Sequence, residues 1–330
     1  MKRRILAMIL LALGSQSAAW AQAPKPFNEP PPPQSEEIQR HVDAAARIAG
    51  PQFAYIARYM CQPRNERVAM IRVTDKSPMV PTKIFDQLYY FGTSTNNVWA
   101  LQTTAGIILI DALDNRTLAQ ANIIDKMPLV GLDPTQIKYV VVTHGHTDHY
   151  GGTSQIKEKY KATILMGKED WDMLDAQRAK AASSDAPIIE RDQDVVDGKS
   201  LTLGDTTMRF YSVPGHTPGS IALVFPVTAK GQQHVATLYG GTGPPTGLPR
   251  ESATYVASLQ HFRPILEKSH ADVLLANHPM YDLAVDNTAL MRTGGANRFI
   301  VGHEALLKYN SFQEECGKVA QLQGSQTTSH

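Results

Sequence analysis

The run Lys138-Tyr139-Val140-Val141-Val142-Thr143 passes without a break into His144-Gly145-His146-Thr147-Asp148-His149. A continuous β-branched stretch is the mark of a strand covered on both faces. The polar hexad sits where such a strand ends, which is where α/β folds place their sites. His144, His146, Asp148 and His149 fall within six residues, so a compact loop can aim all four side chains at one place. His144 and His146 share a parity and suit one metal. Asp148 and His149 are offset and suit a second metal beside it. Imidazole and carboxylate together favour zinc among the available divalent ions. An exposed tract that bound metal adventitiously would not follow a buried strand and enter a helix through Gly151-Gly152.

Two further histidines share that setting. His216 lies in Pro214-Gly215-His216-Thr217-Pro218-Gly219, directly after a strand-like segment ending at Val213. His278 lies in Asn277-His278-Pro279, after one ending at Ala276. Turn residues at a strand end expose the side chain, and the shared position makes both histidines candidates. His41, His234, His261, His270, His303 and His330 lack the setting and read as surface or structural residues.

The rest of the chain alternates strands and helices. Strands are expected at 89–91, 98–102, 106–111, 138–143, 162–166, 201–203, 208–213, 221–226, 235–239 and 272–276. Helices are expected at 35–50, 117–127, 153–160, 168–180, 252–267, 285–293 and 301–319, the first capped by Ser35 and ended by Gly50. Residues 181–187 read as a polar loop, and no short-period repeat is visible. With 42% apolar and 19% charged residues, the chain can bury a substantial core.

Lys2, Arg3 and Arg4, the apolar run from Ile5 to Leu13 and the Ala21-Gln22-Ala23 box form a secretory signal over residues 1–23. The run is too short to span a bilayer, so no stable membrane anchor is expected and the address is periplasmic or secreted. A proline-rich tether and N-terminal extension follow over 24–84, and a catalytic domain including the C-terminal helices over 85–330. In an oxidising compartment Cys61 and Cys316 can pair and staple the N-terminal segment to the last helix. The alternative is two buried free thiols. Lys plus Arg number 32 against 31 Asp plus Glu. That balance gives no electrostatic case for nucleic acid, so the expected partner is a small-molecule substrate.

The pattern His144-x-His146-x-Asp148-His149, His216 in a Gly-His-Thr-Pro-Gly-Ser box and His278 on a late strand resembles the metallo-β-lactamase superfamily over about residues 85–300. The resemblance implies a four-layer αββα sandwich of class α/β with two zinc ions at one edge of its sheets. It looks most like the β-lactamase subclass with a His/His/His and an Asp/His/His site. By that likeness His144, His146 and His216 hold the first zinc, and Asp148, His149 and His278 the second. Asp148 would orient a metal-bound hydroxide that opens a cyclic amide, a β-lactam in the leading reading.

Glyoxalase II and the lactonases of this superfamily carry a bridging aspartate where this chain has Thr242, which disfavours those readings. The loop Gly243-Pro244-Pro245-Thr246-Gly247 departs from the β-lactamase pattern and keeps a lactonase or other ester hydrolase as the alternative. Substrate walls are expected at 89–97, 181–189 and 242–249, with Thr242, Tyr90 and Phe91 as contacts. A scaffold that had lost catalysis would normally lack at least one ligand, and all six positions are filled.

Overall fold

The computed structural model of the chain describes residues 35–62, 76–180 and 189–327. The signal expected at 1–23, the proline tether up to residue 34 and the polar loop at 181–187 lie outside these residues.

The first sheet has seven strands in sequential order: β1 Thr82–Lys83, β2 Leu88–Gly92, β3 Asn97–Thr103, β4 Gly106–Ile110, β5 Ile137–Val141, β6 Thr163–Gly167 and β7 Gln193–Val195. It is antiparallel from β1 to β4 and parallel from β4 to β7. The second has five strands: β8 Ser200–Leu203, β9 Thr206–Ser212, β10 Ile221–Ala229, β11 Gln232–Tyr239 and β12 Val273–Leu275. Its order is β12-β11-β10-β9-β8, with β11 and β12 parallel. The helices are α1 Glu36–Met60, α2 Arg116–Asn122, α3 Thr147–Tyr150, α4 Thr153–Tyr160, α5 Lys168–Lys180, α6 Pro249–Ser269, α7 Pro279–Asp282, α8 Ala284–Arg292 and α9 His303–Thr327.

Side chains alternate across a strand, and here that alternation builds the layers. Leu88, Tyr90, Trp99, Leu101, Ile108, Ile110 and Val141 point from the first sheet into a core shared with Phe210, Leu223, Phe225 and Leu275 of the second. Their neighbours Tyr89, Phe91, Val98, Ala100, Leu109 and Val140 point the other way, onto Ile156 and Trp171 of α4 and α5. On the far side Ala222, Val224 and Leu274 meet Phe53, Tyr255, Phe262 and Phe312 of α1, α6 and α9. Helices, sheet, sheet and helices make the four-layer αββα sandwich that the resemblance implied. The expected burial on both faces holds for 140–143, where Val141 faces one core while Val140 and Val142 face the other, but not at the start of the run, where Lys138 is exposed and Tyr139 half-buried.

Three local expectations change. Gly50, at φ 56° and ψ −168°, does break the first helix, but Pro51 restarts it. Proline suits a first helical turn, where its missing N–H goes unmissed. The second segment then lays Phe53, Ile56 and Met60 into the core. The helix expected over 117–127 stops at Asn122 and continues as a 3-10 turn, Ile124–Val130. Pro128 lies in that segment, and its ring would clash with the carbonyl of Ile124 in an α-helix. Strands β1 and β7 were not expected, because two or three residues show no periodicity.

Cys61 and Cys316 are bonded, with Cα atoms 4.5 Å apart across 255 residues of sequence. Among the described residues no helix is long and apolar enough to cross a membrane.

Candidate metal centre

The six candidate ligands come from the C-terminal ends of three strands. Residues 144–149 follow β5, with His146 capping α3. His216 follows β9, and His278 follows β12 and caps α7. The fold brings them into two groups of three, His144 with His146 and His216, and Asp148 with His149 and His278. Within each group the potential ligand atoms lie within 4.8 Å of one another. His144 and His149 are fully buried, while His146 is exposed, so the cluster opens to solvent at one corner.

Each of three rings is held by its Nδ1. His216 Nδ1 is 2.7 Å from the carbonyl of Gly243, and His278 Nδ1 is 2.7 Å from the carbonyl of Thr95. A carbonyl only accepts, so both rings carry their proton on Nδ1 and keep a lone pair on Nε2. His149 Nδ1 is 2.8 Å from Asp111 Oδ2, which leaves its Nε2 facing Asp148. The freed nitrogens converge: His216 Nε2 lies 3.2 Å from His146 Nδ1, and His278 Nε2 lies 3.8 Å from Asp148 Oδ2.

The electrostatics suit a cation. Burial, with neighbouring imidazoles adding to it, pushes His144 well below the ordinary histidine pKa and takes His216 to about 3. His278 is lowered in the same way. These rings are therefore neutral, the form that ligates a metal. Burial also opposes charge on His149, but Asp148 and Asp111 overcome it and hold its pKa up to about 10. Burial disfavours the charged form of Asp148 as well, yet His149, His278 and His144 keep it far below the usual carboxylate range. Two carboxylates thus draw positive charge to this end of the cluster. His144 Nε2 and His149 Nε2 are buried without a hydrogen-bond partner. Orphaned buried ring nitrogens are costly and rare, and a metal ion satisfies both. Five imidazoles and one carboxylate are a donor set that fits zinc.

Several supporting residues escaped the sequence reading. Asp170, inside α5, accepts from Gly145 N at 2.6 Å, Gly219 N at 2.8 Å and Thr217 Oγ1 at 2.7 Å. It therefore ties the loop of His144 and His146 to the loop of His216. Asn96 Nδ2 donates to Asp148 Oδ2 at 2.8 Å and orients that carboxylate. Asp111 marks the end of a buried strand in the sequence, a weak hint of its role. A lone aspartate inside a helix offers no signal at all.

The expected substrate contacts do not all reach the site. Tyr90 and Phe91 are fully buried, in the inter-sheet core and the outer core respectively, and neither lines a cleft. They alternate on β2, which is paired on both sides and covered on both faces, so packing claims both. Thr242 is also buried, and its hydroxyl donates to the Tyr239 carbonyl at 2.8 Å. What the two loops do supply is backbone and amide groups, namely Thr95 O, Asn96 and Gly243 O.

A sequence model of the metallo-β-lactamase superfamily matches residues 92–228, which hold five of the six candidate ligands. Over that segment, about two fifths of the chain, the sequence is similar to the metallo-β-lactamase superfamily. Solved metallo-β-lactamases share the architecture. BJP-1, a subclass B3 metallo-β-lactamase of Bradyrhizobium japonicum, is 26% identical with a TM-score of 0.65, over 78% of this chain and 100% of that one. FEZ-1 from Legionella gormanii, at 23% identity and a TM-score of 0.65 over 75% and 98%, shares the fold. A curated relative, the hydroxyacylglutathione hydrolase of Pelagibacter ubique, is 32% identical over 89 residues. That match spans 27% of this chain and only 31% of the relative's length.

Proposed function

We propose that the protein is a dizinc hydrolase whose substrate is a β-lactam. The observation that carries this reading is the pair of complete donor triads, with three rings locked through Nδ1 so that their Nε2 atoms converge. His144, His146 and His216 would hold one zinc, and Asp148, His149 and His278 the other. Zinc bound there would supply Lewis acidity toward a carbonyl and an ionised water at neutral pH.

The chain's own residues then divide the work. Asp148, held ionised and oriented by Asn96, is too weak a base to take a proton at neutral pH. Its role is to orient the attacking water. The neutral rings of His144, His216 and His278 offer lone pairs and no competing charge. Thr242 stands near the end of β11, where the superfamily's lactonases carry a bridging aspartate, and its hydroxyl is turned back onto Tyr239. That arrangement and the alignment over the full length of BJP-1 support the β-lactam reading. The match to a hydroxyacylglutathione hydrolase supports a second reading, hydrolysis of a thioester or other ester on the same centre.

A chromogenic cephalosporin offered to the zinc-loaded protein, with and without a chelator, decides between them. Turnover abolished by the chelator is the expected result. No turnover by protein carrying two zinc equivalents would sink the β-lactam reading and favour thioesters and lactones.

A further inference from the structure

Gln313 and Tyr255 lie on α9 and α6, remote in sequence from every candidate ligand, and both are buried in the outer helical layer. Buried polar groups must be hydrogen-bonded to be tolerated. Here the bonds converge on one atom. Gln313 Nε2 donates to the Thr242 carbonyl at 3.0 Å and to the Tyr255 hydroxyl at 2.6 Å. The Tyr255 hydroxyl donates to the same Thr242 carbonyl. The next carbonyl along the chain, that of Gly243, receives the Nδ1 proton of His216.

The 241–243 segment is also pressed against that ring. Gly241 has φ +66°, and a Cβ there would sit 2.4 Å from His216 Cβ and 2.6 Å from its Cγ. A Cβ on Gly215, just before His216, would meet the Tyr255 backbone at 2.5 Å. His216 is therefore lodged between the α6 backbone and a loop whose far side is gripped by α6 and α9 side chains.

We infer that Gln313 and Tyr255 are positioning residues for His216, fixing its tautomer and direction through the Thr242 and Gly243 carbonyls. This rests on the reading of the cluster as a dizinc centre. Partners that orient a ligand from behind typically govern metal affinity. Their hydrogen bonds end on the loop that holds the His216 ring, so their effect falls chiefly on one zinc: the segment meets the other triad only indirectly, through Gly241 N on Asn277, and His278 and His149 take their own Nδ1 partners from Thr95 and Asp111.

The test is zinc titration of the wild type, Gln313→Leu and Tyr255→Phe against a chromophoric chelator, which resolves the two affinities. The His216 ring proton is followed by nitrogen-15 NMR in parallel. The expected result is a first-site affinity weakened about 10–100-fold in Gln313→Leu, and less in Tyr255→Phe, with the second site unmoved. A shifted or exchange-broadened Nδ1–H signal should accompany it. Folded variants with both affinities unchanged would overturn the inference, and so would equal weakening of both sites, which is general loosening. Should Gln313→Leu not fold, Tyr255→Phe decides, because it removes a single hydroxyl. A wild type that binds fewer than two equivalents would instead overturn the dizinc reading.

Discussion

Asp111 collects much of what makes the histidine cluster a site. It is 1% exposed, and its carboxylate accepts from Thr143 N, Thr143 Oγ1, Asn277 Nδ2 and His149 Nδ1. It thereby joins the ends of β4, β5 and β12. Its φ of 63° is left-handed, a conformation aspartate tolerates better than most residues and one that often marks functional sites. In Asp111→Asn an amide group must face either Thr143 or His149, each of which brings a donor. The second zinc affinity should then fall roughly 10–100-fold while the protein loses about 1–3 kcal/mol of stability. Competition titration and urea unfolding measure the two effects. Unaltered second-site affinity would mean that Asp111 only holds strands together.

At the scale of elements, the helical layer formed by α1, α6 and α9 carries the disulfide. α1 buries Phe53, Ile56 and Met60 in the core it shares with α9, so apolar packing as well as the bond joins the two helices. What the bond removes is the freedom of a very long loop in the unfolded chain. The chain-entropy model puts that gain at up to about 5 kcal/mol. Cys61→Ser with Cys316→Ser should therefore lower the denaturant midpoint and leave the native helix content unchanged. A midpoint within error of wild type would show that the unfolded chain already holds α1 near α9. The helix boundaries were legible where a capping residue governs them, as at Ser35, whose hydroxyl accepts from Ile38 N. They were not legible at Pro51 or Pro128, where the outcome depends on what the neighbouring side chains can bury.

Over the whole molecule, a bonded cysteine pair suits an oxidising compartment. We propose that the chain is exported and cleaved after Ala23. Intact mass of protein recovered from the periplasm or medium should correspond to a chain starting at Pro24, and an intact Met1 there would refute the cleavage. The near-zero net charge, +1, fits a small-molecule substrate and gives no polyanion a reason to bind.

The family resemblance implied the four layers and the division into two triads; the sequence by itself determined the strand-end positions of the six candidate ligands and the grouping of His144 with His146 and of Asp148 with His149. These depend on local facts: a β-branched run, a compact hexad and turn residues after strands. Only the tertiary structure decided which groups hold those ligands in place. Asp111, Asp170, Asn96 and Gln313 act across long stretches of sequence, where spacing carries no signal. The same holds for Tyr90 and Phe91: aromatic residues at strand positions are more often core than pocket wall, and two cores claim them here. A residue's type sets what it can bond to, and the packing of sheets and helices decides what it meets.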